Sequence, residues 1–114
     1  MPQESNHRPE RRALPRRKCS GLCEILAHGR RFGWGTVTDI SRGGCYVETE
    51  QLLPIGSDVQ LRLNIANMSL EISAWVATNH PLVGMGFQFL PIPESKQSEF
   101  TVMLAQVVAM TALA

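Results

Sequence analysis

From Asp58 to Ile65 the chain alternates without a fault: Val59, Leu61, Leu63 and Ile65 are separated by Asp58, Gln60, Arg62 and Asn64. A side-chain period of two belongs to a β-strand with one buried face and one wet face. Such a strand needs partners along its edges and a core against one side. Ala66 and Asn67 read as a hairpin turn, after which Leu70, Ile72, Ala74 and Val76 resume the alternation with Trp75 on the opposite face.

The same reading extends to the rest of the chain. Cys19 to Ala27 alternates irregularly and ends at a turn, His28-Gly29. Phe32 to Ile40 is rich in β-formers, including Trp34, Thr36, Val37 and Thr38. Ser41 to Gly44 is a tight connection to a short strand from Cys45 to Thr49, and Leu53 to Ser57 is a turn before the Asp58 strand. Asn79-His80-Pro81 is expected to break the fifth strand, and Gly84 to Leu90 supplies a sixth with Met85, Phe87 and Phe89 in register. Six short strands with regular turns predict a mainly all-β protein, a six-stranded antiparallel β-barrel that is closed or nearly so. Strand–helix–strand alternation does not occur, which argues against a parallel nucleotide-binding sheet.

Beyond Pro91-Ile92-Pro93 the period changes to that of a helix. Phe100, Met103, Leu104, Val107 and Val108 recur at spacings of three and four, and Val102, Ala105, Ala109, Met110 and Leu113 widen the stripe. That is more apolar surface than one side of a barrel requires. It fits either a helix end packed on the core or a homodimer surface. The expected organisation is a flexible tail at 1–10, a barrel domain at 11–93 that includes an arginine-rich arm, and a C-terminal helix at 94–114.

Charge is distributed unevenly. The net formal charge is +1, but residues 1–18 hold six basic residues against two acidic ones, and the remainder holds five against eight. A basic head of +4 thus precedes a body of −3. Such a head suits an anionic partner, or serves as a solubilising tail. Pro15 interrupts any helix across the arginines, so Arg11 to Lys18 is expected to be an extended or turning arm. Three cysteines make an odd count, as expected of reduced cytosolic thiols rather than a disulfide framework. On a strand, Cys19 and Cys23 would sit about 13 Å apart, too far to bridge or to share a zinc. No run of about 18 apolar residues is present and Met1 to Arg8 lacks an apolar signal region, so a cytoplasmic protein without a membrane span is expected.

Two segments combine donors, acceptors and backbone freedom: Arg11-Arg12-Ala13-Leu14-Pro15-Arg16 and Asp39-Ile40-Ser41-Arg42-Gly43-Gly44. An arginine fork pairs bidentately with phosphate or with the O6 and N7 acceptors of guanine. Asp39 only accepts at neutral pH and matches the N–H donors on guanine's other edge. Ser41 can donate or accept, and Gly43 and Gly44 allow a ligand to approach exposed backbone N–H groups. The two segments together complement a guanine that carries phosphate. Asp39 and Ser41 also favour an ordinary turn on their own account.

Arg12-x-x-x-Arg16 with Arg11 before it, followed by Asp39-x-Ser41-x-x-Gly44, resembles the paired signature of PilZ domains. Gly44-Cys45-Tyr46-Val47-Glu48-Thr49, Trp75 and the closing Gly84-Met85-Gly86-Phe87-Gln88-Phe89 fit the resemblance, which covers roughly residues 10–92. It implies a receptor for cyclic di-GMP with a binding set of Arg11, Arg12, Arg16, Asp39, Ser41, Gly43 and Gly44, joined by Trp75 if that side chain stacks on a guanine rather than merely packing. It also implies that the arm closes over the ligand from outside the barrel, and that an arginine at position 11 goes with a stacked pair of ligands, two molecules per chain. No catalytic residue, resident cofactor or metal is implied.

Other functions are less well supported. A small barrel binding nucleic acid through its basic arm would need aromatic and basic residues alternating on its surface, and the acidic body is not expected to show them. A hydrolase would need a base beside Asp39 or Ser41, and His7, His28 and His80 are scattered. A ligand-independent PilZ-like adaptor would lack the arginine arm that this chain retains. Since the signal must pass to another protein, a downstream effector is an expected partner.

Overall fold

The computed structural model describes residues 15–113, with side chains to residue 110. The strands are β1 (Arg17–Ala27), β2 (Arg30–Ile40), β3 (Gly44–Glu48), β4 (Asp58–Ile65), β5 (Met68–His80) and β6 (Gly84–Phe89), followed by α1 (Glu94–Leu113). They close into an antiparallel barrel in the order β1-β2-β3-β6-β5-β4. Closure leaves no free edge. The all-β, six-stranded barrel with a C-terminal helix is therefore as the residue pattern indicated. The tail and most of the arm, including Arg11 and Arg12, lie outside the described residues.

The β4 alternation becomes burial directly: Val59, Leu61, Leu63 and Ile65 are buried, while Asp58, Gln60, Arg62 and Asn64 are exposed. Ile25, Val37, Val47, Ile72, Val76 and Phe87 face the same interior from the other strands. The β1–β2 and β4–β5 hairpins close through two-residue loops whose central residues all have positive φ: His28 (55°) and Gly29 (75°), Ala66 (55°) and Asn67 (64°). That is the backbone of a primed hairpin turn, whose twist matches that of the strands.

Four departures from regular pairing shape the barrel. β1 shifts register between Lys18 and Gly21 and again between Ile25 and Leu26, which is why its alternation is irregular in sequence. β2 shifts against β3 between Val37 and Asp39, leaving Thr38 as the extra residue. β5 shifts against β6 between Val76 and Thr78. β5 ends at His80, within the expected break at Asn79-His80-Pro81; the last of these bulges lies just before it, and Asn79 and His80 still pair with Met85 and Gly84. The chain turns only after His80, where the Val83 N–H donates to the His80 carbonyl at 2.9 Å.

α1 lies at the barrel end where β1 begins, β6 ends and the β4–β5 turn sits. Phe100, Met103 and Val107 are buried there, with Phe100 edge-on to Phe89 at 5.7 Å between ring centroids. One stripe of the helix thus completes the core. Val102, Val108 and Met110 remain on the surface at 47%, 42% and 54% exposure.

Candidate ligand-binding face

Asp39 owes its position to the bulge at Thr38. Val37 points into the core, so strict alternation would send Asp39 inward and Ile40 outward. The extra residue reverses the phase: Ile40 is fully buried and Asp39 faces out. Arg16, just before β1, meets it there, its Nη1 donating to Asp39 Oδ1 at 2.7 Å. Their side chains are 47% and 29% exposed, so the pair is solvated and its donors and acceptors are available to a ligand. Lys18 pairs with Asp39 across the β1–β2 ladder.

The β2–β3 connection is held by its own hydrogen bonds. The Ser41 N–H donates to the Gly44 carbonyl at 2.8 Å, and the Gly43 N–H donates to Ser41 Oγ at 3.1 Å. Ser41 is only 5% exposed. This corrects the expectation of a freely presented Gly43 amide: the serine hydroxyl occupies it and shapes the turn. Gly44 stands opposite Gln88 in the β3–β6 register, where a Cβ would collide with the Phe87 carbonyl oxygen. Gly44 is thus required by the approach of β3 to β6, whatever binds above it.

Trp75 faces outward on β5, half-buried, opposite Asp58 on one side and Gln88 on the other. Gln88 in turn pairs with Gly44. Trp75 therefore belongs to the same outer row as Gly44, two strands or about 10 Å away. The fold brings Arg16, Asp39, Ser41, Gly43, Gly44 and Trp75 onto one side of the barrel.

Two features escaped the sequence reading. Glu24 points outward yet is only 7% exposed, because Arg31 and Arg62 lie over it from the neighbouring strands. The Arg31 hydrogen bond, aided by both guanidinium charges, holds its carboxyl below the usual range against the opposing effect of burial. Arg31 also stacks 5.2 Å above the Trp34 ring, and Trp34 is 47% exposed. The expected lack of aromatic–basic pairing on the barrel surface thus fails at this point. Glu24 and Glu71 offset the charges around it. The second feature is Tyr46, the cross-strand neighbour of Asp39. Burial, then the charges of Glu48 and Asp39, raise its pKa.

The cysteines are free thiols. Burial, then the Asp39 charge, pushes Cys19 to about 11; burial, then Glu24, pushes Cys23 to about 12; Cys45 is raised by burial above all. They are poor nucleophiles and behave as small core residues. Among the described residues no group of three or more His, Cys, Asp or Glu is placed to hold a metal ion, and no helix is long and apolar enough to cross a membrane.

The fold is thus a closed barrel that carries a charged motif on its outer face, with Arg16 and the start of β1 beside it. The PilZ domain model matches residues 10–106, and the chain belongs to the PilZ domain family. No curated protein matches the chain.

Proposed function

We propose that this protein is a non-catalytic receptor for cyclic di-GMP. The observation that carries the reading is the Arg16–Asp39 pair, a phosphate- and guanine-competent donor beside a guanine-competent acceptor, on the outer face of a PilZ barrel. Arg11, Arg12 and Arg16 take the phosphates and the O6/N7 edge of guanine. Asp39 accepts from the opposite edge. Ser41, Gly43 and Gly44 form the turn beneath, and Trp75 offers a stacking face.

The reading includes a conformational change on binding, carried by the arm. Residues 1–18 carry net positive charge and little apolar content, and the Arg16–Asp39 bond already sets the end of that segment at the site, so a bound anion is what would draw the arginines before it onto the barrel. The bound arm would then present a new surface to a downstream protein. One cyclic di-GMP carries two phosphate charges and a stacked pair four, which calls for more than two arginines. Arg11 supplies the third, and two ligands per chain are expected. α1 adds self-association as a further part of the proposal. Phe100 to Ala114 contains no charged residue, so two copies of its exposed face would meet without like-charge repulsion.

Calorimetric titration with cyclic di-GMP tests the receptor reading and the stoichiometry together. Two ligands per wild-type chain, and fewer for Arg11→Leu, are expected. Cyclic di-AMP should bind poorly, since adenine presents an N–H₂ donor where guanine presents O6. Equal affinity for both dinucleotides would overturn recognition of the guanine edge, and tighter salt-sensitive binding of oligonucleotides would replace this reading with a nucleic-acid one.

A further inference from the structure

The motif accounts for Asp39, Ser41 and Gly44 but not for the side chain the barrel sets beside them. Tyr46 lies directly across from Asp39 in the β2–β3 ladder and from Gly86 in the β3–β6 ladder. Alternation along β3 turns it outward between the buried Cys45 and Val47. What it meets on β6 is bare backbone at two positions, Gly84 and Gly86. A Cβ on Gly84 would come 3.0 Å from Tyr46 Cε2, and one on Gly86 would come 3.6 Å from Tyr46 Cδ1.

The ring therefore extends over both glycines and lies along the sheet, whereas strand side chains commonly stand off it. Its far end is fixed as well. The Tyr46 hydroxyl is 2.9 Å from His80 Nδ1 on β5, and the two ring centroids are 5.8 Å apart at an interplanar angle of 36°. One face of the phenol thus rests on the glycine floor and the other is turned away from the sheet. The ring is held in place before any ligand arrives, so binding costs it little rotamer freedom.

We propose that Tyr46 is a base-stacking platform of the cyclic di-GMP site, an inference that rests on the receptor reading above. A purine needs a flat apolar surface and, at its rim, groups that read its edge. The Asp39 Cα lies about 4.5–5.5 Å from that of Tyr46, on the side of β3 away from the ring, so a base seated on Tyr46 meets the carboxylate where its edge reaches back over β3. Arg16, bonded to that carboxylate, stands at the same rim. Trp75 is two strands and two residues away, roughly 12 Å by strand spacing and rise. That is too far for the two aromatics to sandwich one base, so they serve different bases. The alternative role for Tyr46, covering two glycines for the sake of the sheet, requires no ligand contact and is what the experiment must separate.

Tyr46 is the only tyrosine in the chain, so ring-labelled tyrosine gives an NMR signal that can come from nowhere else. On titration with cyclic di-GMP its ring protons should move upfield, as they do beneath a stacked purine. Tyr46→Phe should keep wild-type affinity, and Tyr46→Leu should lose about tenfold or more. Melting curves of both variants report folding separately. Wild-type protein that binds while its tyrosine resonances stay in place overturns the inference, and this result does not depend on either variant folding. So does a Tyr46→Leu protein that folds and binds as wild type, or equal losses in the Phe and Leu variants, which would assign the effect to the hydroxyl. If the wild-type protein fails to bind at all, the receptor reading itself falls and this inference with it.

Discussion

Arg16→Ala separates recognition from folding. The Arg16–Asp39 bond is short, at 2.7 Å, but nearly half of the arginine side chain is in water. Exposed ion pairs contribute about 0.2–1 kcal/mol, and this one belongs toward the low end of that range. In a domain of this size 1 kcal/mol shifts Tm by about 4–8 °C, so the variant should melt within about 4 °C of wild type. Its effect on the ligand should be larger. A charge-assisted hydrogen bond to phosphate or guanine contributes about 1.5–3 kcal/mol, which is roughly a 10- to 150-fold loss of affinity. Asp39→Ala should cost at least as much, because it removes an acceptor for the guanine edge and also releases Arg16. Since the two side chains touch, their losses should not add, and the double variant should bind more tightly than the summed single losses allow. Calorimetry on the four proteins of the cycle, with melting curves alongside, gives every quantity. An Arg16→Ala protein that binds cyclic di-GMP with wild-type affinity would refute the site.

Three further outcomes follow from the packing. Gly44→Ala should destabilise the barrel by about 1–3 kcal/mol in urea unfolding, because its Cβ meets the Phe87 carbonyl, a backbone atom that cannot swing aside; wild-type stability would show that β3 and β6 can separate freely. Ser41→Ala should lower Tm as well as affinity, since it leaves the Gly43 N–H without its acceptor at a cost of about 1 kcal/mol; lost affinity at an unchanged Tm would mean the hydroxyl serves only the ligand. Glu24→Gln should destabilise the protein at neutral pH. The folded carboxyl titrates below its ordinary 4.5, so its contribution is present above that pH and is lost as the pH falls through the folded value. Melting curves of the two proteins should therefore converge below about pH 4.5, and a constant gap down to pH 3 would contradict the arginine cage.

Much of the architecture was legible because strand periodicity is local. Val59 to Ile65 and Leu70 to Val76 announce their buried faces in any context, Ala66-Asn67 announces the hairpin that joins them, and His28-Gly29 the one that joins β1 to β2. The Asp39–Gly44 motif was legible for the same reason, since a turn and its flanking residues are contiguous. Asn79-His80-Pro81 marked the end of β5 for the same reason, whereas the bulge at Ala77 just before it depends on pairing with β6 and had no local signal.

What the chain could not disclose locally is how its strands lie against one another. Alternation from Val37 alone would bury Asp39; only the extra residue at Thr38, visible in the register with β3, turns it outward. Glu24 reads as a surface carboxylate, and it is covered because closure sets Arg31 and Arg62 on either side of it. Tyr46 reads as one more strand aromatic, and its ring lies along the sheet because β6 presents Gly84 and Gly86 beneath it. The sequence by itself determined which residues form strands and which face of each is apolar, because a period of two is set by the backbone of a single strand. The tertiary structure decided which outward residues become neighbours, because barrel closure and one-residue bulges set the register between strands distant in the chain, and a shift of one residue exchanges the two faces.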